Sequence, residues 1–172
     1  MAQESEVPVT TVSVFSHREA DWTVRRINFD RAIPAVTFDL VTPQGDERLI
    51  RMPMLGEVNV QNAVVALVAA LQLGCEFEAA VSALEGAEQI PGRMTSVNPD
   101  PGAQPLVIVD FAHTPEGLDW TLKSVRELTR GKLVLVFGTD GDRDATKREP
   151  LAEIAAQLAD VLWVTDENPR TE

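Results

Sequence analysis

Three short runs made only of apolar residues, 106–109, 133–137 and 161–164, are separated by two stretches with helical spacing, 115–128 and 151–158. Strands that do not alternate polar with apolar are expected to be covered on both faces. Strands that alternate with helices are most economically joined by right-handed crossovers. The rhythm therefore predicts an α/β unit with a parallel sheet. In such a sheet ligands gather beyond the carboxyl ends of the strands, where loops vary without disturbing the core. All three runs end in polar loops: Asp110-Phe111-Ala112-His113-Thr114-Pro115, then Gly138 to Asp144 followed by Lys147 and Arg148, then Thr165 to Arg170. Three strands and two helices leave open sheet edges, so the chain is expected to be a truncated piece of something larger.

The part before these runs has a different rhythm. Residues 10–15, 22–29, 35–42 and 47–54 are rich in Val, Thr, Ile and aromatics, and Val36, Phe38 and Leu40 alternate with Thr37 and Asp39. That period of two predicts strands with one buried face, and Pro43-Gln44-Gly45-Asp46 predicts a hairpin between the last two. Residues 59–73 are apolar on most of the circumference and stop at Gly74, which predicts a buried helix with a glycine cap. A shorter helix is expected over 76–84. Gly86, Pro91 and Gly92 then break the pattern, so a domain boundary is placed near Pro91.

Charge narrows the function. Fifteen Lys plus Arg against 27 Asp plus Glu give a net charge of −12, which repels a phosphate backbone and argues against nucleic acid. No run reaches membrane-span length, and the first residues lack the basic start and apolar stretch of a secretory signal. The lone Cys75 can form no internal disulfide and lies among apolar residues in the sequence. That suits a reducing compartment, and the cytoplasm is expected.

Several chemistries lack their motif. The sequence has no P-loop, no Gly-x-Gly-x-x-Gly after a strand, no Gly-x-Ser-x-Gly elbow and no His pair at metal spacing. No catalytic residue and no metal ligand is assigned. The charged loops have plain structural readings as well. Asp110 and Thr114 could cap the following helix, Asn59 could be an N-cap, and Arg143 could pair with Asp142 or Asp144. His113 could simply be solvated.

Five segments, Asn59-Val60-Gln61-Asn62-Ala63, Pro91-Gly92-Arg93-Met94, Val109 to Pro115, Gly141-Asp142-Arg143-Asp144 with Lys147-Arg148, and Asn168-Pro169-Arg170, together resemble the Mur ligase family in order and interval. The resemblance implies that residues 1–88 are the end of the family's central ATPase domain and 89–172 the first half of its Rossmann-like C-terminal domain. It implies an ATP- and magnesium-dependent ligase that joins a diamino acid to a UDP-muramyl dipeptide in peptidoglycan synthesis through an acyl phosphate. The magnesium ligands would lie outside this chain, with the remainder of the ligase. Carried over by motif, Asn59, Asn62, Arg93, Asp110, His113 and Thr114 would bind ATP, and Asn168 and Arg170 the incoming amino acid. Asp142, Arg143 and Lys147 would lie near the closed site.

Phe111, Asp140, Thr146 and Glu167 depart from the residues usual in the family, which are Tyr, Gly, Gly and Asp. Arg170 favours a substrate with a distal carboxylate, such as meso-diaminopimelate, over lysine. Folylpolyglutamate or cyanophycin synthetases are the near alternative, and a noncatalytic nucleotide-binding fragment the distant one. Without a P-loop the chain by itself is expected to turn over no ATP.

Overall fold

A computed structural model describes residues 7–14, 20–30, 34–98 and 105–172. The chain forms two compact units. One runs up to Ile90 and takes in Thr95–Val107, and the other comprises Pro91–Met94 and Ile108–Glu172.

The first unit is a four-stranded sheet with two helices. Its strands β1 (Val12–Ser13), β2 (Trp22–Asp30), β3 (Ala35–Val41) and β4 (Glu47–Met52) lie in chain order, β1 parallel to β2 and the others antiparallel. Phe15, placed in the first strand from sequence, lies outside the described residues. The hairpin at 43–46 closes with the Gly45 amide donating to the Thr42 carbonyl at 2.9 Å, and Gly45 has φ 91°, which only glycine adopts cheaply. Val36, Phe38 and Leu40 of β3 and Ile50 and Met52 of β4 point to one face, where Val60, Val64 and Leu67 of helix α1 (Glu57–Gln72) cover them. Helix α2 (Phe77–Glu85) adds Val81 to this core.

Three expectations need correction here. Helix α1 starts at Glu57, after Gly56 at φ 90°, so Asn59 lies inside the first turn and is no N-cap. Nor is α1 buried all round, since Val65 is 50% exposed and Asn62 faces solvent. A run of Ala, Leu and Val hides which face is inward because both faces are apolar. Cys75 is exposed rather than packed, because the helix ends three residues earlier, at Gln72. The Gly74 amide bonds the Leu71 carbonyl and the Cys75 amide the Ala70 carbonyl, both at 3.0 Å, which is a Schellman closure that carries Cys75 off the helix. Strand β5 (Thr95–Ser96) is short and leads to a backbone bond from the Val97 amide to the Val107 carbonyl.

In the second unit, strand β6 (Ile108–Val109) leads to helix α3 (Pro115–Leu128), strand β7 (Val134–Phe137), helix α4 (Arg148–Leu158) and strand β8 (Val161–Val164). Strands β7 and β8 pair in parallel, Val134 opposite Val161 through Phe137 opposite Val164. Leu135 and Phe137 on one face pack against Leu118, Leu122, Leu151 and Ala155 of the two helices. Asp160 ties the far end together, its carboxylate accepting from the Leu133 amide at 2.7 Å and from Arg126 at 2.9 Å. Those two bonds, with the arginine first, hold its carboxyl below the ordinary range.

Two further corrections concern this sheet. Strand β6 is not part of the β7–β8 sheet, and it ends after two residues, where the Asp110 carboxylate turns back to accept from the Ala112 amide. The β7–β8 sheet is also not covered on both faces among the described residues, since Val134, Val136 and Trp163 are 52%, 64% and 65% exposed. Helix α4 begins three residues earlier than its apolar spacing suggests, at Arg148, with Pro150 tolerated in the first turn where no intrahelical donor is needed.

Candidate functional site

The loops that follow β6, β7 and β8 meet in a shallow depression that opens to solvent. Ala112 and His113 come from the first loop, Gly138, Thr139 and Lys147 from the second, and Glu167 from the third, over a floor of Leu118, Phe137 and Leu151. Apolar side chains of both helices and of β7 thus form the base, and loop polar groups form the rim.

The first loop is built around Asp110. One carboxylate oxygen accepts from the Met94 amide at 2.8 Å, and the other from the Ala112 amide at 3.0 Å and the Thr121 hydroxyl at 2.9 Å. The Phe111 amide in turn donates to the Gly92 carbonyl at 2.7 Å. These bonds clamp Pro91–Met94 onto the loop. Gly92 at φ 71° and Met94 at φ 50° make the bend, and it sets the Arg93 guanidinium 5.2 Å from the Phe111 ring centre. His113 tilts against the same ring at 5.0 Å, its Nδ1 3.1 Å from the Phe111 carbonyl.

Thr114 caps α3, its hydroxyl accepting from the Gly117 amide at 3.1 Å with Pro115 at the first helical position. Of the two capping candidates, Thr114 therefore does the capping, while Asp110 joins two segments. Lys147 reaches across from the second loop and donates to the His113 carbonyl at 3.1 Å.

The second and third loops are bonded backbone to backbone. The Gly141 amide donates to the Asn168 carbonyl at 2.8 Å, and the Thr165 amide to the Phe137 carbonyl at 3.0 Å. A methyl group at Gly138 would lie 2.2 Å from the Thr165 carbonyl oxygen, and one at Gly141 would lie 2.0 Å from that of Pro169. Both positions thus require glycine on grounds of space. Asp142, itself at φ 52°, accepts from the Thr171 hydroxyl at 2.6 Å and amide at 3.1 Å. These donors, the hydroxyl foremost, lower its carboxyl below the ordinary 3.8. Glu172 is lowered as well, first by Arg148 at 2.6 Å and then by the Asp142 amide at 3.0 Å.

Within the third loop the Asn168 side-chain oxygen accepts from the Arg170 amide at 3.2 Å, an Asx turn that holds Arg170 at φ 53°. Arg170 then directs its guanidinium to Asp140 at 3.3 Å. Arg143 also approaches Asp140, at 3.9 Å, rather than Asp142 or Asp144. Asp144 instead accepts from the Thr146 hydroxyl and amide, in that order of effect, which lowers its carboxyl.

The structure therefore brings Arg93, Asp110, His113 and Thr114 together in one loop system, joined through Lys147 to the loop of Asp142 and Arg143, and through Gly141 to Asn168 and Arg170. Asn59 and Asn62 lie in the other unit. Asn59 is buried and its amide donates to the Leu55 carbonyl at 2.7 Å. Sequence reasoning did not place Asp140, on which two arginines converge, or Thr139 among the site residues, and it marked Glu167 only as a departure from the family's usual residue. The one signal for Asp140 was its departure from the glycine usual at that place. Among the described residues no group of three or more His, Cys, Asp or Glu could hold a metal ion, and no helix is long and apolar enough to cross a membrane.

An α/β unit whose polar strand-end loops meet at one edge of a parallel strand pair has the layout in which this class of fold places its ligands. The chain belongs to the Mur ligase family, with residues 92–172 matching the model described as Mur ligase, glutamate ligase domain. It is similar over its whole length to a UDP-N-acetylmuramyl-tripeptide synthetase of Leifsonia xyli subsp. xyli (39% identical). A UDP-N-acetylmuramoyl-L-alanyl-D-glutamate--2,6-diaminopimelate ligase of Streptomyces avermitilis is 36% identical, also over the whole chain. The chain spans about a third of the length of these curated relatives, 34% and 33%. A solved structure titled as a UDP-N-acetylmuramoyl-L-alanyl-D-glutamate--2,6-diaminopimelate ligase superposes on 95% of this chain, with TM-score 0.61 at 35% identity, and 32% of that structure is covered.

Proposed function

We propose that this chain is part of an ATP-dependent ligase that joins meso-diaminopimelate to UDP-N-acetylmuramoyl-L-alanyl-D-glutamate. What carries the reading is the similarity of the whole of this chain to about a third of a tripeptide synthetase and of a 2,6-diaminopimelate ligase, in a chain whose Asn168-Pro169-Arg170 loop is fastened to the loop after β7. The further division into the end of a central domain (1–88) and the first half of a C-terminal domain (89–172) belongs to the same proposal.

The chemistry asks for two things: positive charge near a phosphoryl group, and an amine held against an activated carboxyl with water kept out. An exposed Phe111 ring with Arg93 above it fits a nucleotide's base and phosphates. When bound, ATP supplies the phosphoryl group that activates the D-glutamyl carboxylate as an acyl phosphate. Arg93 and Lys147 would provide charge beside it, with His113 and Thr114 flanking the nucleotide. Asp110 would serve chiefly by holding Arg93 in place, since three donors already occupy its oxygens. Among the described residues no cluster of acidic or histidine side chains fits a magnesium ion. Arg170, held by Asn168, would grip the distal carboxylate of the amino acid, for which a guanidinium fork is suited. The amine then forms the C–N bond as phosphate leaves with the C–O electron pair, and a proton is lost from nitrogen.

The test replaces the corresponding segment of the Streptomyces avermitilis ligase with this chain and measures ADP release. The expected result is turnover that depends on the muramyl dipeptide and prefers meso-diaminopimelate to lysine. A folded hybrid that ligates glutamate to folate, or is indifferent to diaminopimelate, overturns the reading.

A further inference from the structure

We infer that Asp140 is a built-in carboxylate competitor that occupies the arginine meant for the substrate's distal carboxylate and so weakens diamino acid binding. The inference rests on the reading just proposed and concerns the same site. The Asp140 carboxylate lies 3.3 Å from the Arg170 guanidinium and 3.9 Å from that of Arg143, and both contacts go to one oxygen. The Arg170 side chain is 35% exposed and that of Asp140 28%, so the pair is partly screened and open enough for a ligand to reach.

Both ends of the pair are tethered at the backbone. Arg170 is fixed at φ 53° by the Asn168 side chain, and Asp140 is anchored through its carbonyl, which accepts from Arg148 at 3.3 Å. An incoming carboxylate must therefore displace Asp140 from Arg170 or share the guanidinium with it at a cost in repulsion. An α-amino acid without a distal carboxylate would not meet this competition. Because the loop is held by the Asp140 backbone and by Gly141, removing the Asp140 charge leaves the loop's own bonds intact.

The test titrates the 172-residue chain and its Asp140→Asn variant with meso-diaminopimelate and with L-lysine. It reads affinity by calorimetry and the Asp140 carboxyl carbon by NMR in the wild type. The expected result is roughly two- to fivefold tighter diaminopimelate binding by D140N, the range of a partly exposed ion pair, with lysine unaffected. The Asp140 carbon should shift as diaminopimelate saturates. In an Arg170→Ala background the D140N gain should vanish, as a competition for that one arginine requires. Unchanged or weaker diaminopimelate binding by D140N, no binding by either form, or a gain that survives in R170A overturns the inference. The hybrid-ligase assay does not use this variant, so failure of the broader reading is seen there independently.

Discussion

Replacing Gly141 with alanine probes the contact that fixes the amino acid loop. The added methyl would sit 2.0 Å from the Pro169 carbonyl oxygen and 2.7 Å from its carbon, well inside van der Waals contact. The obstacle is backbone, so no side-chain rotation relieves it. Separating the two segments by the ångström or more that is needed would break the 2.8 Å bond from the Gly141 amide to the Asn168 carbonyl. Overpacking of this kind costs about 1–3 kcal/mol and the hydrogen bond about 1 kcal/mol. Residues 168–172 are exposed, and releasing them is cheaper than unfolding the core.

Gly141→Ala should therefore destabilise by about 2–3 kcal/mol at most, and should move the amide resonances of Asn168, Arg170 and Thr171 while leaving those of α3 in place. Gly138→Ala is harsher. Its methyl would meet the Thr165 carbonyl at 2.2 Å, at the end of the β7–β8 ladder, where the segment cannot detach without unpairing the sheet. Gly131→Ala meets nothing within 4 Å and serves as the control. Urea melts and amide spectra of the three variants check the order Gly138, Gly141, Gly131. A Gly141→Ala protein that melts and resonates like Gly131→Ala would refute the argument.

Asp110→Ala removes the acceptor for two amides and a hydroxyl, so a loss of about 2–3 kcal/mol is expected, with the Met94 and Ala112 amides losing hydrogen-exchange protection; a variant as stable as the wild type would mean that water replaces the clamp. Acid should loosen the end of the chain. Asp142 and Glu172 both have carboxyls lowered in the folded state, so their contribution is complete above the ordinary carboxylate values, 3.8 and 4.5, and is lost as pH falls through the lowered ones. The protection factor of the Thr171 amide, its exchange corrected for the intrinsic pH dependence, should thus stay constant from neutral pH down to the ordinary values and fall below them, and a fall centred above pH 5 would contradict the assignment.

How much of this could be read from the residues differs from element to element. Helix α3 was legible to the residue because Thr114 and Pro115 announce its start locally, and strand β8 because four apolar residues stand between polar ones. Gly74 as a helix stop was legible for the same reason, since a Schellman closure involves only near neighbours. The polar loops after the three apolar runs also pointed to the cleft. Asn59 was misread as a cap because the helix start was fixed by Gly56, whose φ of 90° leaves no mark in the apolar pattern. The pairing of Arg143 with Asp140 was missed because three carboxylates, Asp140, Asp142 and Asp144, lie within reach in sequence, and only the fold of the loop chooses among them.

Sequence alone determined the local units: where helices and strands form, which loops carry charge, and which family the chain resembles. Those properties follow from periodicity, caps and turn residues acting over a few positions. Tertiary structure alone decided that β6 stays out of the β7–β8 sheet, that Asp110 clamps Pro91–Met94, and that Asp140 sits against Arg170. The last two depend on groups 16 and 30 residues apart meeting within hydrogen-bond reach. Such meetings are set by packed backbone geometry, as at Gly138 and Gly141, and not by any short-range preference of the residues involved.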